Sequence, residues 1–335
     1  MLKYTLQRLL AAIITFFVAM LVIFILINML PIDLMQHLVD LGPPQGGEAA
    51  AGWTSAVTQH TVDTIMERFG WDQPLPVQFY RMIINYLQFD FGISLVVRNN
   101  VPVVDVMATH LPVTMQLNFI SIFFILPVGV FFGVTTALTK DSIYDHTAST
   151  FVVLFIAAPG FVIAALLQYF IAFRLGWFPI LLAPEETLNW TRLHSMILPI
   201  LAVSFGPIAH MARVMRAELT EAITSDYMLL ARAKGQSYKQ AIIHHAFRNA
   251  SVPMVGTFMF LFIGILWGSL VVEVIFNIPG ISRVIITSMQ VNDIQLTLAI
   301  LYFYVAISLL ASIAFDLTLG IVDPRIRMGG KKDGQ

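Results

Sequence analysis

Three observations make this chain an all-α polytopic membrane protein. Of its 335 residues, 58% are hydrophobic and 12% charged, a balance too apolar for a soluble domain of that length. Uncharged runs recur at lengths that cross a bilayer's ~30 Å hydrocarbon core at about 1.5 Å per residue. Charged residues gather between the runs instead, most of all from Arg213 to Arg248, where six of the nineteen Lys and Arg fall.

Taken in order, Lys3 and Arg8 precede the uncharged run 9–30. It is longer than the apolar part of a signal peptide, and no small-x-small cleavage pattern comes after it, so it predicts a retained first span ended by Pro31. A polar segment continues to about Asp105, with a Gly-, Pro- and Ala-rich loop at 42–52. Two amphipathic helices flank the middle of this segment, one presenting Val62, Ile65, Met66 and Phe69, the other Phe79, Tyr80, Ile83, Ile84 and Leu87. Such faces suit helices that lie on the membrane surface or pack under a docked protein. The segment is too long for a mere connector. Its acids Asp63, Glu67, Asp72 and Asp90 and its apolar faces fit an ordered external lid on which another protein docks, with a cover that only seals the bundle as the second reading.

Five more uncharged runs, 111–139, 147–173, 195–212, 250–272 and 294–315, bring the expected spans to six. With alternating topology, thirteen Lys and Arg fall on the side of the N-terminus and six on the other, which puts both termini and the loop 213–250 in the cytoplasm. The expected divisions are a first transmembrane helix (1–30), an extracytoplasmic region (31–110), a five-helix core (111–322) and a cytoplasmic tail (323–335). Pro127, Pro159-Gly160, Pro199 and Pro207 predict kinks, because each proline removes a backbone donor. Gly129 with Gly133, and Gly264 with Gly268, form small-xxx-small pairs that let helices approach closely.

Several chemistries find no residues to carry them. There are no cysteines, which removes disulfides, iron–sulfur clusters and thiolate metal sites. A net charge of −1 argues against nucleic acid as a partner. No acidic residue stands near the middle of a run, Glu273 and Asp316 lying at run ends, whereas an ion-coupled transporter keeps ionisable groups at midplane. His244-His245 are adjacent, so on a helix they point about 100° apart and suit a zinc site poorly. No phosphate-binding G-x-x-x-x-G-K-[ST] loop occurs. If the protein drives transport, the energy comes from another subunit.

The polar stretch 224–249 organises the rest. Asp226 is the expected N-cap of a short helix with Tyr227, Leu230, Ala231 and Lys234 on one face, ended by Gly235 in a left-handed conformation. Ser237 then caps a second helix, with Tyr238, Ala241, Ile242, His245, Ala246 and Asn249 sharing a face. Ala231, Ala233 and Gly235 are small enough to admit another backbone. Spacing alone is equally consistent with a solvated basic amphipathic helix.

The residues in this stretch say more than the spacing. Asp226-Tyr227, then Ala231-Arg232-Ala233-Lys234-Gly235, then His245-Ala246-Phe247-Arg248-Asn249 and Pro253 together resemble the signature loop of binding-protein-dependent ABC importer permeases, in the oligopeptide, dipeptide and nickel branch. Further matches run in order along the chain: Phe91-Gly92-Ile93-Ser94, Leu111-Pro112-Val113-Thr114, Trp177-Phe178-Pro179, Glu273 through Ile281, and Asp323-Pro324-Arg325-Ile326-Arg327. The sequence departs from the pattern at Ile32, where a glycine is usual, at Phe89, where a glycine normally precedes the Asp, and at Leu319, which replaces a common tyrosine.

The resemblance implies the type I ABC importer permease fold and a subunit that is not itself an enzyme. It implies that Asp226, Tyr227, Ala231, Arg232, Ala233, Lys234 and Gly235 form a coupling helix seated on an ATPase subunit. The implied partners are a second homologous permease, two ATP-binding subunits, an extracytoplasmic substrate-binding protein and membrane lipid. No cofactor is expected on this chain, ATP and Mg belonging to the ATPase subunits. Peptides are the expected cargo. Nickel, glutathione or another small solute is the alternative within the family, and a secondary transporter the alternative outside it.

Overall fold

Apolar runs become helices in the computed structural model, which describes residues 2–29, 73–98, 100–184 and 187–322. The loop 42–52, the amphipathic stretch around Val62–Phe69 with Glu67 and Asp72, and the tail from Asp323 lie outside the described residues. By internal contacts the chain divides into two units. One comprises Leu9–Thr109 with Val284–Leu309, the other Met1–Arg8, His110–Arg283 and Leu310–Gln335.

In the first unit, helix α1 (Leu2–Asn28) supplies the first expected span and α2 (Leu75–Leu87) the second amphipathic helix. Phe79, Met82, Ile83 and Tyr86 of α2 pack around Met20, Leu298 and Tyr302. The Tyr302 hydroxyl donates to the Met20 carbonyl at 3.1 Å. Tyr80 and Leu87, expected on the same face as Phe79, are instead exposed, because the 3.6-residue period favours Met82 and Tyr86 as neighbours of Phe79 and Ile83. The inward face of α2 therefore rests on its own protein.

A short hairpin comes next, β1 (Ile93–Ser94) paired antiparallel with β2 (Val101–Pro102). It is fastened by Asp293, whose Oδ2 accepts from the Ser94 hydroxyl at 2.6 Å and from the backbone N–H groups of Leu95, Val96 and Val97 at 3.1 Å each. The Phe91–Ser94 motif thus has a mechanical reading. Gly92 takes φ +84, Asp90 accepts from its N–H, and Ser94 reaches Asp293. Phe89 holds φ +60, a conformation glycine adopts freely and a Cβ makes costly.

The second unit contains most of the remaining helices. These are α3 (Val103–Leu138), which begins in the first unit, α4 (Ile143–Ala157), α5 (Gly160–Leu167) running into a π-helical turn at Gln168–Arg174, and α6 (Trp190–Ile223). Next come α7 (Asp226–Ala233), α8 (Tyr238–Ala241) with a π-helical turn at Ile242–Ala246, α9 (Phe247–Gly264) and α10 (Leu270–Ile275). Helices α11 (Ile281–Gln290) and α12 (Ile294–Val322) run across the division between units. Among the described residues, five helices are long and apolar enough to cross a membrane, and the bent pair α4–α5 makes a sixth if counted as one span.

Two of the expected spans are not single helices. The run 147–173 turns through 105° between α4 and α5. Pro159 lacks an N–H and forces Ala158 out of the helical region, to ψ 127. The chain stays helical through Pro127, Pro199 and Pro207. The run 250–272 breaks after Gly264, with Gly268 at φ +50 before α10 begins.

The glycine pairs consequently divide. Gly129 and Gly133 let α3 lie against Met211 and Met215 of α6, where an added Cβ would come within 3 Å of those side chains. Gly264 faces open space and Gly268 serves the break, so this second pair is no helix-packing motif.

Candidate functional site

Helix α7 is built to show one face and bury the other. Ser225, not Asp226, stands at the N-cap in extended conformation, and its hydroxyl donates back to the Ala222 carbonyl at 2.6 Å. Asp226 occupies the first turn, where a carboxylate meets the positive end of the helix dipole. Met228 and Ala231 enter a core cluster with Met211, Met215, Leu219, Ala222, Ala241, Ile242, Ala246 and Met254. Leu229 and Leu230 stay 64% and 56% exposed, although an apolar side chain gains most by burial. The inward stripe is therefore Met228/Ala231 rather than Tyr227, Leu230, Ala231 and Lys234.

The end of α7 matches the sequence expectation. Gly235 has φ +87 and donates to the Arg232 carbonyl at 3.0 Å, while the Gln236 N–H reaches the Ala231 carbonyl at 3.3 Å. This paired closure is the Schellman motif, in which glycine supplies the left-handed residue. Ser237 then forms a full capping box with Gln240. The Arg232 guanidinium lies 5.7 Å over the Tyr238 ring. Leu229, Arg232, Gly235, Gln236, Ser237 and Tyr238 line an open cleft of about 490 Å³.

Of the seven residues expected to couple, Ala231 is turned into the protein's own core, while Asp226, Tyr227, Arg232, Ala233, Lys234 and Gly235 remain exposed. The helix after Ser237 keeps the middle of its expected face, with Ala241, Ile242 and Ala246 buried and His245 half-buried, and departs from it at the two ends. Ala241, Ile242, Ala246, Ala250 and Met254 point inward, and Tyr238 and Asn249 outward. The π-helical turn at Ile242–Ala246 adds a residue to one turn and shifts the phase of every later turn of the helix. The two histidines engage separate partners, His244 the Gln240 carbonyl at 2.9 Å and His245 the Gln236 side chain at 3.1 Å.

A second constellation surrounds the broken helix. The Glu273 carboxylate is fully buried, accepting from the Thr114 hydroxyl at 2.7 Å and from the Arg283 N–H at 2.9 Å. Thr114 in turn accepts from the Ile281 N–H at 2.9 Å. A carboxylate placed on the first amides of a helix satisfies donors that would otherwise have no partner. Any Cβ at Gly268 or Gly280 would collide with Glu273 and Thr114. One turn further along α3, the Asn118 amide donates to the Gly264 and Ile265 carbonyls at the break, at 3.1 Å each. Nearby is a cavity of about 520 Å³ whose lining, including Asn118, Phe155, Gly160, Pro207, Trp267 and Ser269, is uncharged throughout.

The third feature is an ion pair. Arg216 donates to both oxygens of Asp145 at 2.7 Å, and Asp145 also accepts from the Asp141 N–H at 3.1 Å. The carboxylate is wholly buried and the guanidinium about one-third exposed. Residue types and spacing single out none of Asp145, Asn118 and Asp293 as site residues. The pattern Ser142-x-x-Asp145 is available as a helix-start signal, and the Asp145 N–H does donate to the Ser142 hydroxyl at 3.1 Å. The long-range partners of Asn118 and Asp293 leave no local mark.

This architecture, a helical bundle with a short two-faced helix between its long ones, is that of a type I importer permease. Residues 129–328 match the family described as the inner membrane component of binding-protein-dependent transport systems, and the chain belongs to that family as a multi-pass membrane permease. It is 31% identical to the dipeptide transport system permease protein DppB of Lactococcus lactis subsp. cremoris over 98% of this chain and 100% of that protein. It is 32% identical to the glutathione transport system permease protein GsiC of Escherichia coli, over 98% and 99% respectively. Among solved structures, the methionine ABC transporter MetNI shares the fold, with a TM-score of 0.52 at 17% identity over 65% of this chain and 96% of that one.

Proposed function

We propose that this permease passes peptides across the membrane for an ATP-driven importer, and that the exposed face of Asp226–Gly235 is where ATPase subunits grip it. The observation that carries this is the asymmetry of α7. Met228 and Ala231 bind it to the bundle while Leu229 and Leu230 remain in the open beside the cleft under Arg232 and Tyr238. Exposed apolar side chains framing a concavity and flanked by charge are what a docking partner covers. The distribution of Lys and Arg supports a cytoplasmic position for this face and for both termini.

In this reading a second, homologous permease completes the path, and an extracytoplasmic binding protein delivers cargo. Two ATP-binding subunits hold ATP and Mg and draw the coupling helices together. The names of the dipeptide and glutathione relatives support short peptides as cargo, and the uncharged cavity wall suits ligands whose side chains vary in charge.

The test is Gly235→Val in the reconstituted complex. A branched side chain at φ +87 is strained by about 1–3 kcal/mol and misaligns the end of α7. Stimulation of ATP hydrolysis by loaded binding protein is expected to disappear, and full stimulation would refute the assignment.

A further inference from the structure

Helices α4 and α6 pack along one another, and two side-chain pairs between them have matched spacing. At one end Asp145 takes both arms of Arg216. At the other, Phe155 stacks on Phe205 with ring centroids 4.6 Å apart. Along each helix the two points are separated by roughly 15 Å and 16 Å at 1.5 Å per residue, so the two helices run as rails bolted together twice. The stack alone would let them slide or roll, whereas a bidentate fork fixes both distance and rotation.

Each rail ends somewhere that matters. Past Arg216, α6 buries Leu219 and Ala222 in the same cluster that holds Met228 and Ala231 of α7. Past Asp145, α4 runs to Phe155, Ile156 and the bend at Ala158, all lining the cavity. We infer that the Asp145–Arg216 pair is the tie that makes α4 follow α6, so that displacement of α7 reaches the cavity wall; both are positioning residues for transport, an inference that rests on α7 being the ATPase contact.

A buried ion pair also has a purely structural effect, and the test separates the two. Removing one partner leaves a charge without compensation, while removing both relieves that penalty. Arg216→Met alone should therefore lower the melting temperature of the purified complex, and Asp145→Asn/Arg216→Met should restore it. The deciding readout is substrate transported per ATP hydrolysed in proteoliposomes carrying the whole complex with its binding protein. That ratio is expected to stay about fivefold or more below wild type in the double variant even though stability returns. A ratio that recovers together with stability overturns the inference.

The chain has no cysteines, which allows a second measurement independent of activity. Spin labels at Ile143→Cys and Glu221→Cys, both exposed positions, should report one narrow distance with and without ATP. In the double variant the distance should broaden, and an unchanged distribution counts against the tie. Gly235→Val run in parallel tells the two readings apart. If it loses coupling while the double variant keeps it, only the tie is wrong. If it keeps coupling, the assignment of α7 falls and the tie falls with it.

Discussion

Asp226–Gly235 and Gly268–Arg283 each depend on a glycine at positive φ, yet the two glycines are required for different reasons. Around Gly235 nothing lies within 4 Å of where a Cβ would be, so only backbone conformation calls for glycine there. Around Gly268 and Gly280 there is no space at all, because Glu273 and Thr114, with Ser282 beside Gly268, fill it. The first stretch is left open on one side. The second is closed on every side and is specified by its own fold. Motif residues in a membrane protein can thus mark either a contact or a keystone, and burial tells which.

The largest effect expected from this contrast lies within α7 itself. Met228→Ala should cost about 2–5 kcal/mol, since it empties a site in the core, whereas Leu229→Ala should stay within about 0.5 kcal/mol. Thermal unfolding of the purified protein compares them, and equal losses would end the two-faced description. Leu229→Ala should instead reduce recovery of ATPase subunits with the permease.

Next comes the glycine comparison. Gly235→Ala carries the left-handed penalty alone, about 1–2 kcal/mol. Gly268→Ala adds overpacking against Glu273 and Thr114, a further cost of about 1–3 kcal/mol. The same unfolding assay should rank them in that order, and the reverse order would mean that the keystone yields more readily than its packing suggests.

Phe89 sharpens the point from the other direction. It sits at φ +60 with its side chain 80% exposed, so Phe89→Gly should raise stability by about 1 kcal/mol, the left-handed strain relieved with little packing lost. A drop in melting temperature would show that the ring is used. Smallest of all are Arg232→Ala and Lys234→Ala, worth about 0.2–1 kcal/mol each as exposed charges. Their double variant should lose ATPase subunits in a salt-dependent manner during copurification, and indifference to salt would count against charge at this contact.

Much of the site is legible where its causes are local. The Gly235 terminator and the Ser237 capping box come from residue types at fixed offsets, and both are present. The inward face of α7 is not legible in this way, since Leu230 is as apolar as Met228 and only the position of the core cluster chooses between them. The later turns of the next helix escape as well, Ala250 being buried in place of Asn249 after the π-helical turn. Glu273 can be placed at the end of a run, but its partner Thr114 is 159 positions away.

Composition and periodicity by themselves determined that the chain is helical, lies in a membrane and turns at Gly235, because hydrophobic transfer and backbone sterics act residue by residue. Tertiary structure decided at which proline the chain would bend, that the run 250–272 would break at a point away from its proline, which face of α7 would be left exposed, and that Asp145 would meet Arg216 and Asp293 the hairpin at Ser94–Val97. Those outcomes depend on buried polar groups finding partners distant in sequence, and desolvation makes each pairing obligatory without naming the partner in advance.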